Sequence, residues 1–171
     1  SQYEGYTMLP IVDDFVQRFN LGNDFVVIAD SGLMSAKNVK LLRDGGYKYI
    51  IGARIKKESG RIMEKIIATE RRSGVFNDIK YGDRLIVGYS DERAKKNAFD
   101  REQGVERLRK RFSKGTLTKA DINKRGYNKF LSISSGITVS IDEEKIKEDA
   151  MWDGLKGYKT NTDLSPEKVY E

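Results

Sequence analysis

Two apolar runs and the stretch that joins them constrain this chain more than any other feature. Phe25-Val26-Val27-Ile28-Ala29 is continuously apolar and closes on Asp30, and Tyr47 to Ala53 is a second β-type run centred on Tyr49-Ile50-Ile51. Between them Ser35 can cap a helix carrying Ala36, Val39 and Leu42, which Gly45-Gly46 stops. Strand, helix and strand in this succession form a βαβ unit, so the two strands are expected to be parallel with a right-handed crossover. A run apolar throughout reads as a central strand buried on both faces. The fold class is therefore α/β.

Asp30 is where this architecture meets chemistry. A carboxylate that ends a parallel strand lies at the carboxyl edge of the sheet, where α/β folds place their sites. The same position suits an Asp that caps its own loop through the amides of Gly32 or Leu33. Both readings stay open on the residues alone.

The composition removes whole mechanisms. The 171 residues contain no Cys and no His. No disulfide framework, thiol nucleophile or Cys-type zinc site is available, and no imidazole base or Ser-His-Asp triad. Proton transfer or metal binding must run on carboxylates, Lys, Tyr or backbone, which directs any catalysis toward hard cations. No apolar stretch approaches the ~20 residues of a membrane helix, and no secretory signal opens the chain. The expectation is a soluble, cytoplasmic protein. The opening Ser1-Gln2-Tyr3, without Met, reads as a piece of something longer.

Elsewhere the chain is well punctuated. Leu9, Val12, Phe15 and Phe19 stand at helical spacing with Asp13, Asp14 and Arg18 on the other side. Asp13-Asp14 is either a metal pair or, since adjacent helical residues point ~100° apart, a solvated face. A helix over 61–69 and two β segments, Val75–Tyr81 and Arg84–Tyr89, flank the turn signal Gly82-Asp83. Ser90 or Asp91 caps a long helix whose apolar stripe is Ala94, Ala98, Val105, Leu108 and Phe112. Thr118 and Asp121 make a capping-box start. A hairpin turns about Ser135-Gly136, a short acidic helix covers 142–150, and a strand lies near Gly157–Thr160. Ser165-Pro166-Glu167 begins a helix that Glu171 leaves barely a turn long.

Charge is unevenly spread. The net +6 lies wholly in residues 91–129, which hold 13 Lys/Arg against 6 Asp/Glu. A localised basic segment is the footprint of phosphate-backbone contact. A solvated helix laced with ion pairs gives the same count, because Asp91, Glu92, Asp100, Glu102 and Glu106 are interspersed. The candidate contacts are Arg93, Lys95, Lys96, Arg107, Arg109 and Lys110. Trp152 and the tyrosines serve either base stacking or core packing. No GxGxxG or P-loop spacing occurs, so no nucleotide cofactor is indicated.

The run Val26 to Ser35, with Asn38, Leu41-Leu42, Gly46-Tyr47 and Tyr49 to Arg54, resembles bacterial insertion-sequence transposases of the DDE class. Later pieces agree in order: Tyr89-Ser90 through Arg93-Ala94 and Asp100-Arg101, Asp142 to Ile146, Asp153-Gly154, and Tyr158 to Ser165. The resemblance implies a ribonuclease-H-like core with a mixed α/β insertion. Residues 1–57 would be the first part of the core and 58–151 the insertion, with its basic helix at 91–113. Residues 152–171 would return to the core and start the helix that carries the catalytic Glu. Asp30 would be the second acidic ligand for Mg²⁺ or Mn²⁺, in a protein that cuts and joins DNA at transposon ends, with a homodimer as one arrangement open to it. The first Asp and the Glu would lie outside this chain, and neither Glu167 nor Glu171 takes the missing role, so the chain alone is expected to be inactive. The alternative is a non-catalytic nucleic-acid-binding module that uses 91–129, with Asp30 only capping a loop. A third reading is an inactive transposase remnant with a structural role.

Overall fold

The computed structural model describes residues 8–19, 22, 24–32, 35–136 and 138–171. In chain order the elements are α1 (Met8–Phe19), β1 (Val26–Ala29), α2 (Ala36–Asp44), β2 (Lys48–Ala53), α3 (Gly60–Ile67), β3 (Phe76–Tyr81) and β4 (Asp83–Tyr89). There follow α4 (Asp91–Ser113), β5 (Leu131–Ser134), β6 (Thr138–Ile141), α5 (Glu143–Ala150), β7 (Leu155–Thr160) and α6 (Pro166–Tyr170). The chain divides into two compact units, Ser1–Tyr89 with Lys156–Glu171, and Ser90–Leu155. Among the described residues no helix is long and apolar enough to cross a membrane.

The first unit is a mixed five-stranded sheet in the order β1-β2-β7-β4-β3. β1 and β2 are parallel, from Val26 opposite Lys48 to Ala29 opposite Ile51, as the βαβ pattern requires. β7 then runs antiparallel to β2, with Ile50 opposite Thr160 and Ala53 opposite Gly157. α3, β3 and β4, grouped by sequence with the insertion, fall in this first unit, because β4 neighbours β7 in the sheet.

Alternation along β2 places its side chains on two faces. Tyr49 and Ile51 pack with Leu42, Leu9, Val27 and Val39, while Ile50 packs with Ile86, Val169, Phe76 and Tyr158. Tyr49 is wholly buried, and its hydroxyl donates to Asp83, which also accepts from Arg43. Burial and the Asp83 bond push the Tyr49 phenol up to about 12. Side chains also complete the sheet where β7 ends. The Tyr49 amide donates to Asn161 Oδ1 at 2.8 Å, and Asn161 Nδ2 donates to the Tyr47 carbonyl at 2.9 Å. Arg84 holds the approach to α6 by donating from Nη1 to the carbonyls of Thr162 and Leu164, both at 2.8 Å.

β1 corrects the sequence reading. It is an edge strand, not a strand buried on both faces: Ile28 is 75% exposed and Val26 is 37% exposed. Its inward residues Val27 and Ala29 face the α2 side, whereas the residues that cover the other face, Val169 and Phe76, pack on Ile50 and Ile86. The apolar run is real, but an edge strand has a neighbour on one side only.

The second unit is built largely by local rules. Ser90 caps α4 by accepting from the Arg93 amide at 3.3 Å, and Asp142 caps α5 by accepting from the Lys145 amide at 3.2 Å. The Thr118 amide donates to Asp121 Oδ2 at 2.8 Å, closing the expected capping arrangement. β5 and β6 form an antiparallel hairpin whose Ser135 and Gly136 both take positive φ; Ile137 lies outside the described residues. The core is Val105, Leu108, Phe130, Leu131 and Val139. Gly104 sits inside α4 because a Cβ there would come within 2.3 Å of the Tyr127 ring. The close approach of that ring offsets the ~1 kcal/mol that Gly costs a helix interior.

Candidate functional site

The end of β1 positions the one carboxylate singled out by sequence. Asp30 is exposed at the carboxyl end of β1, and its Oδ1 accepts the Ser31 amide at 2.6 Å. The loop cap therefore exists, onto Ser31 and not onto Gly32; Leu33 lies outside the described residues. Gly52 of β2 makes this turn possible. A Cβ at position 52 would stand 3.0 Å from the Ser31 nitrogen and 3.3 Å from Asp30 Oδ1. With one oxygen engaged by the loop, Asp30 presents its other oxygen at the sheet edge.

The other described acids do not complete a metal site with Asp30. Among the described residues no group of three Asp or Glu could hold a metal ion. Asp13 accepts from the Tyr47 hydroxyl, which raises the Tyr47 phenol above its ordinary range, and Asp14 pairs with Arg18 at 2.9 Å. Asp13 is thus held by Tyr47, and Asp14 is exposed beside Arg18. Glu171 pairs with Lys168 at 3.8 Å, and Glu167 is exposed in the first turn of α6. A hard cation such as Mg²⁺ needs near-octahedral oxygen coordination, and Asp30 supplies one donor. The described residues do not fit a divalent cation on their own.

The six basic candidates separate into two sets. Arg109 pairs with Glu143 at 3.1 Å, Lys110 with Glu106 at 3.7 Å, and Arg107 Nε donates to the Gln103 carbonyl at 3.2 Å. Arg93, Lys95 and Lys96 are exposed and make no ion pair among the described residues. Arg101 is structural. It grips Asp153 with two bonds of 2.6 and 2.5 Å and reaches Asp149 at 3.5 Å, and Asp153 holds its guanidinium more firmly charged.

Four further cations, Lys114, Lys119, Lys124 and Arg125, are exposed and likewise without an ion pair among the described residues. The signal for them was the basic count itself, which continues past α4 to residue 129. None of the four lies on the helical stripe of α4. Five aromatic side chains are engaged with one another: Phe76 lies 4.6 Å from Tyr170, Tyr158 lies 5.4 Å from Tyr170, and Tyr127 lies 6.4 Å from Phe130, ring centre to ring centre.

No protein-family model, curated protein or solved structure matches this chain.

Proposed function

We propose that this chain belongs to a protein that cuts and joins DNA strands, a transposase of the DDE class with a ribonuclease-H-like core. Asp30 supplies one of its acidic metal ligands, and the Ser90–Leu155 unit provides contacts to DNA. The observation that carries this reading is the exposed Asp30 carboxylate at the carboxyl end of a strand that is parallel to its neighbour. The ordered set of motifs from Val26 to Ser165 that resembles such transposases supports it. Phosphodiester hydrolysis and strand transfer use divalent ions held by carboxylates, a chemistry open to a chain without His or Cys. The part played by this chain's own residues is positional: Ser31 orients the carboxylate, and Gly52 leaves the turn room.

The test is Asp30→Ala and Asp30→Asn in the natural polypeptide that carries this sequence. Loss of a metal ligand removes several kcal/mol of transition-state stabilisation, so strand joining is expected to fall roughly 100-fold or more, with DNA affinity within about twofold. Unchanged joining overturns the assignment of Asp30.

A second reading, a non-catalytic nucleic-acid-binding module, is favoured by one specific observation. Arg93, Lys95, Lys96, Lys114, Lys119, Lys124 and Arg125 are all exposed and uncommitted among the described residues of one compact unit. Backbone contact requires log K to fall with log[salt] at roughly −0.9 per neutralised phosphate on duplex DNA. A flat salt titration retires the DNA-facing role in both readings.

A further inference from the structure

We infer that the Ser90–Leu155 unit holds a cleft for an unpaired base of a DNA strand, with the Phe112 ring as its stacking surface and Lys114 and Lys119 as its phosphate contacts. The inference rests on the nucleic-acid reading above and assigns that reading a particular subsite. The cleft has a volume of about 430 Å³, within the ~300–1,000 Å³ of small-molecule sites. Phe112, Leu117 and Val139 give it apolar surface, Thr118 and Thr138 give it hydroxyls, and Lys119 gives it a cation. Its described lining contains no carboxylate.

The helix periodicity explains why an aromatic ring stands there. Phe112 lies one turn beyond Leu108 on the same stripe of α4, yet Leu108 is 4% exposed and Phe112 is 48% exposed. The core closes at Leu108, and the ring beyond it opens on the cleft. Gly115, with φ of +64°, then turns the chain back so that Leu117 and Thr118 form one wall, and β6 contributes Thr138 and Val139.

Charge selects the occupant. Lys119 lines the cleft and Lys114 precedes its Gly115 in the chain, both exposed without ion pairs among the described residues, whereas Asp121 is engaged by Arg111 and by the Thr118 amide, each at 2.8 Å. An aromatic face beside uncommitted cations is the combination by which proteins hold single strands, the ring taking a base and the cations following the backbone. Duplex DNA keeps its base faces stacked within the helix, so this cleft discriminates in favour of an unpaired strand.

The test uses the whole chain and fluorescein-labelled dT12, with a blunt 12-bp duplex, an abasic 12-mer and rU12 as comparisons. The expected result is tighter binding of dT12 than of the duplex or the abasic strand. Phe112→Leu, which keeps an apolar side chain but removes the π face, should weaken dT12 roughly 5- to 150-fold, the equivalent of losing one stacked base. An unchanged urea midpoint confirms that this variant is folded. Lys114→Gln with Lys119→Gln should flatten the salt slope by about 0.7 for each cation removed. If no nucleic acid binds, the underlying reading and the cleft fall together. If duplex and dT12 bind equally, or Phe112→Leu leaves dT12 binding intact, DNA contact stands and the cleft assignment is overturned. Tighter binding of rU12 than of dT12 overturns the assignment to DNA.

Discussion

The two compact units of this protein are held by interactions of opposite range. In the Ser90–Leu155 unit the boundaries follow neighbours in sequence. Ser90 caps α4 at the Arg93 amide, Asp142 caps α5 at the Lys145 amide, and β5 pairs with β6 through a short turn. In the other unit the decisive contacts join residues more than a hundred positions apart, as β2 meets β7 and Asn161 bonds to Tyr47 and Tyr49. The element boundaries of one unit follow rules that a short window of sequence displays, although Arg101 reaches Asp153 across 52 positions. The other depends on loop closure that no window displays, since a contact of long separation costs more entropy to form and leaves no local pattern. The functional candidates divide the same way. The candidate basic contacts Arg93, Lys95, Lys96, Lys114, Lys119, Lys124 and Arg125 lie in the locally determined unit, and the candidate carboxylate ends a strand of the other.

The comparison can be broken most forcefully at Phe130. This residue is 1% exposed in a core of only five buried side chains. Phe130→Ala should cost ~3–5 kcal/mol, read by urea unfolding, with loss of amide protection concentrated in residues 90–155. Equal loss at Ile50 and Ile86 would show that the two cores share one cooperative transition.

The next largest effect is set by pH in the long-range unit. The Tyr49 phenol, raised from 10 to about 12 chiefly by burial and then by Asp83, stays neutral in the folded chain after the unfolded chain has begun to ionise. The stability this represents is complete below pH 10 and is lost as pH rises toward 12, by about 2 kcal/mol. Urea midpoints should therefore fall between pH 9 and pH 11, and tyrosinate absorbance should show one late-titrating phenol. Tyr49→Phe should remove that part of the alkaline loss; an unchanged pH profile would detach stability from this group.

The finest test sets one distant bond pair against one local cap. Asn161→Ala leaves the Tyr49 amide and the Tyr47 carbonyl without their partners, at a cost of about 2 kcal/mol. Ser90→Ala removes a single N-cap, at about 1 kcal/mol. If the order is reversed in urea unfolding, long-range polar contacts are not what distinguishes the first unit.

Much of this arrangement was legible before the structure. The parallel β1–β2 pair, the long basic helix, the hairpin at Ser135-Gly136 and the caps at Ser35, Ser90 and Ser165 follow from periodicity and from side chains that satisfy their own neighbouring amides. Asp30 was legible as a strand-ending carboxylate for the same reason. The partner of each surface charge was not. Spacing along α4 does not reveal that Arg101 is committed to Asp153 while Lys95 and Lys96 make no ion pair among the described residues, because Asp153 lies 52 residues further on.

What the sequence determined by itself is the set of elements, their caps, the parallel pair and the position of the basic segment, all consequences of local sterics and of periods of two and 3.6 residues. What only the tertiary structure decided is where β1 sits, how β7 inserts beside β2, and which side chains remain uncommitted. An apolar run reports that a strand has surface to bury, not how many neighbours it obtains. Ile28, inside the continuously apolar run Phe25–Ala29 and yet 75% exposed at the sheet edge, shows the difference.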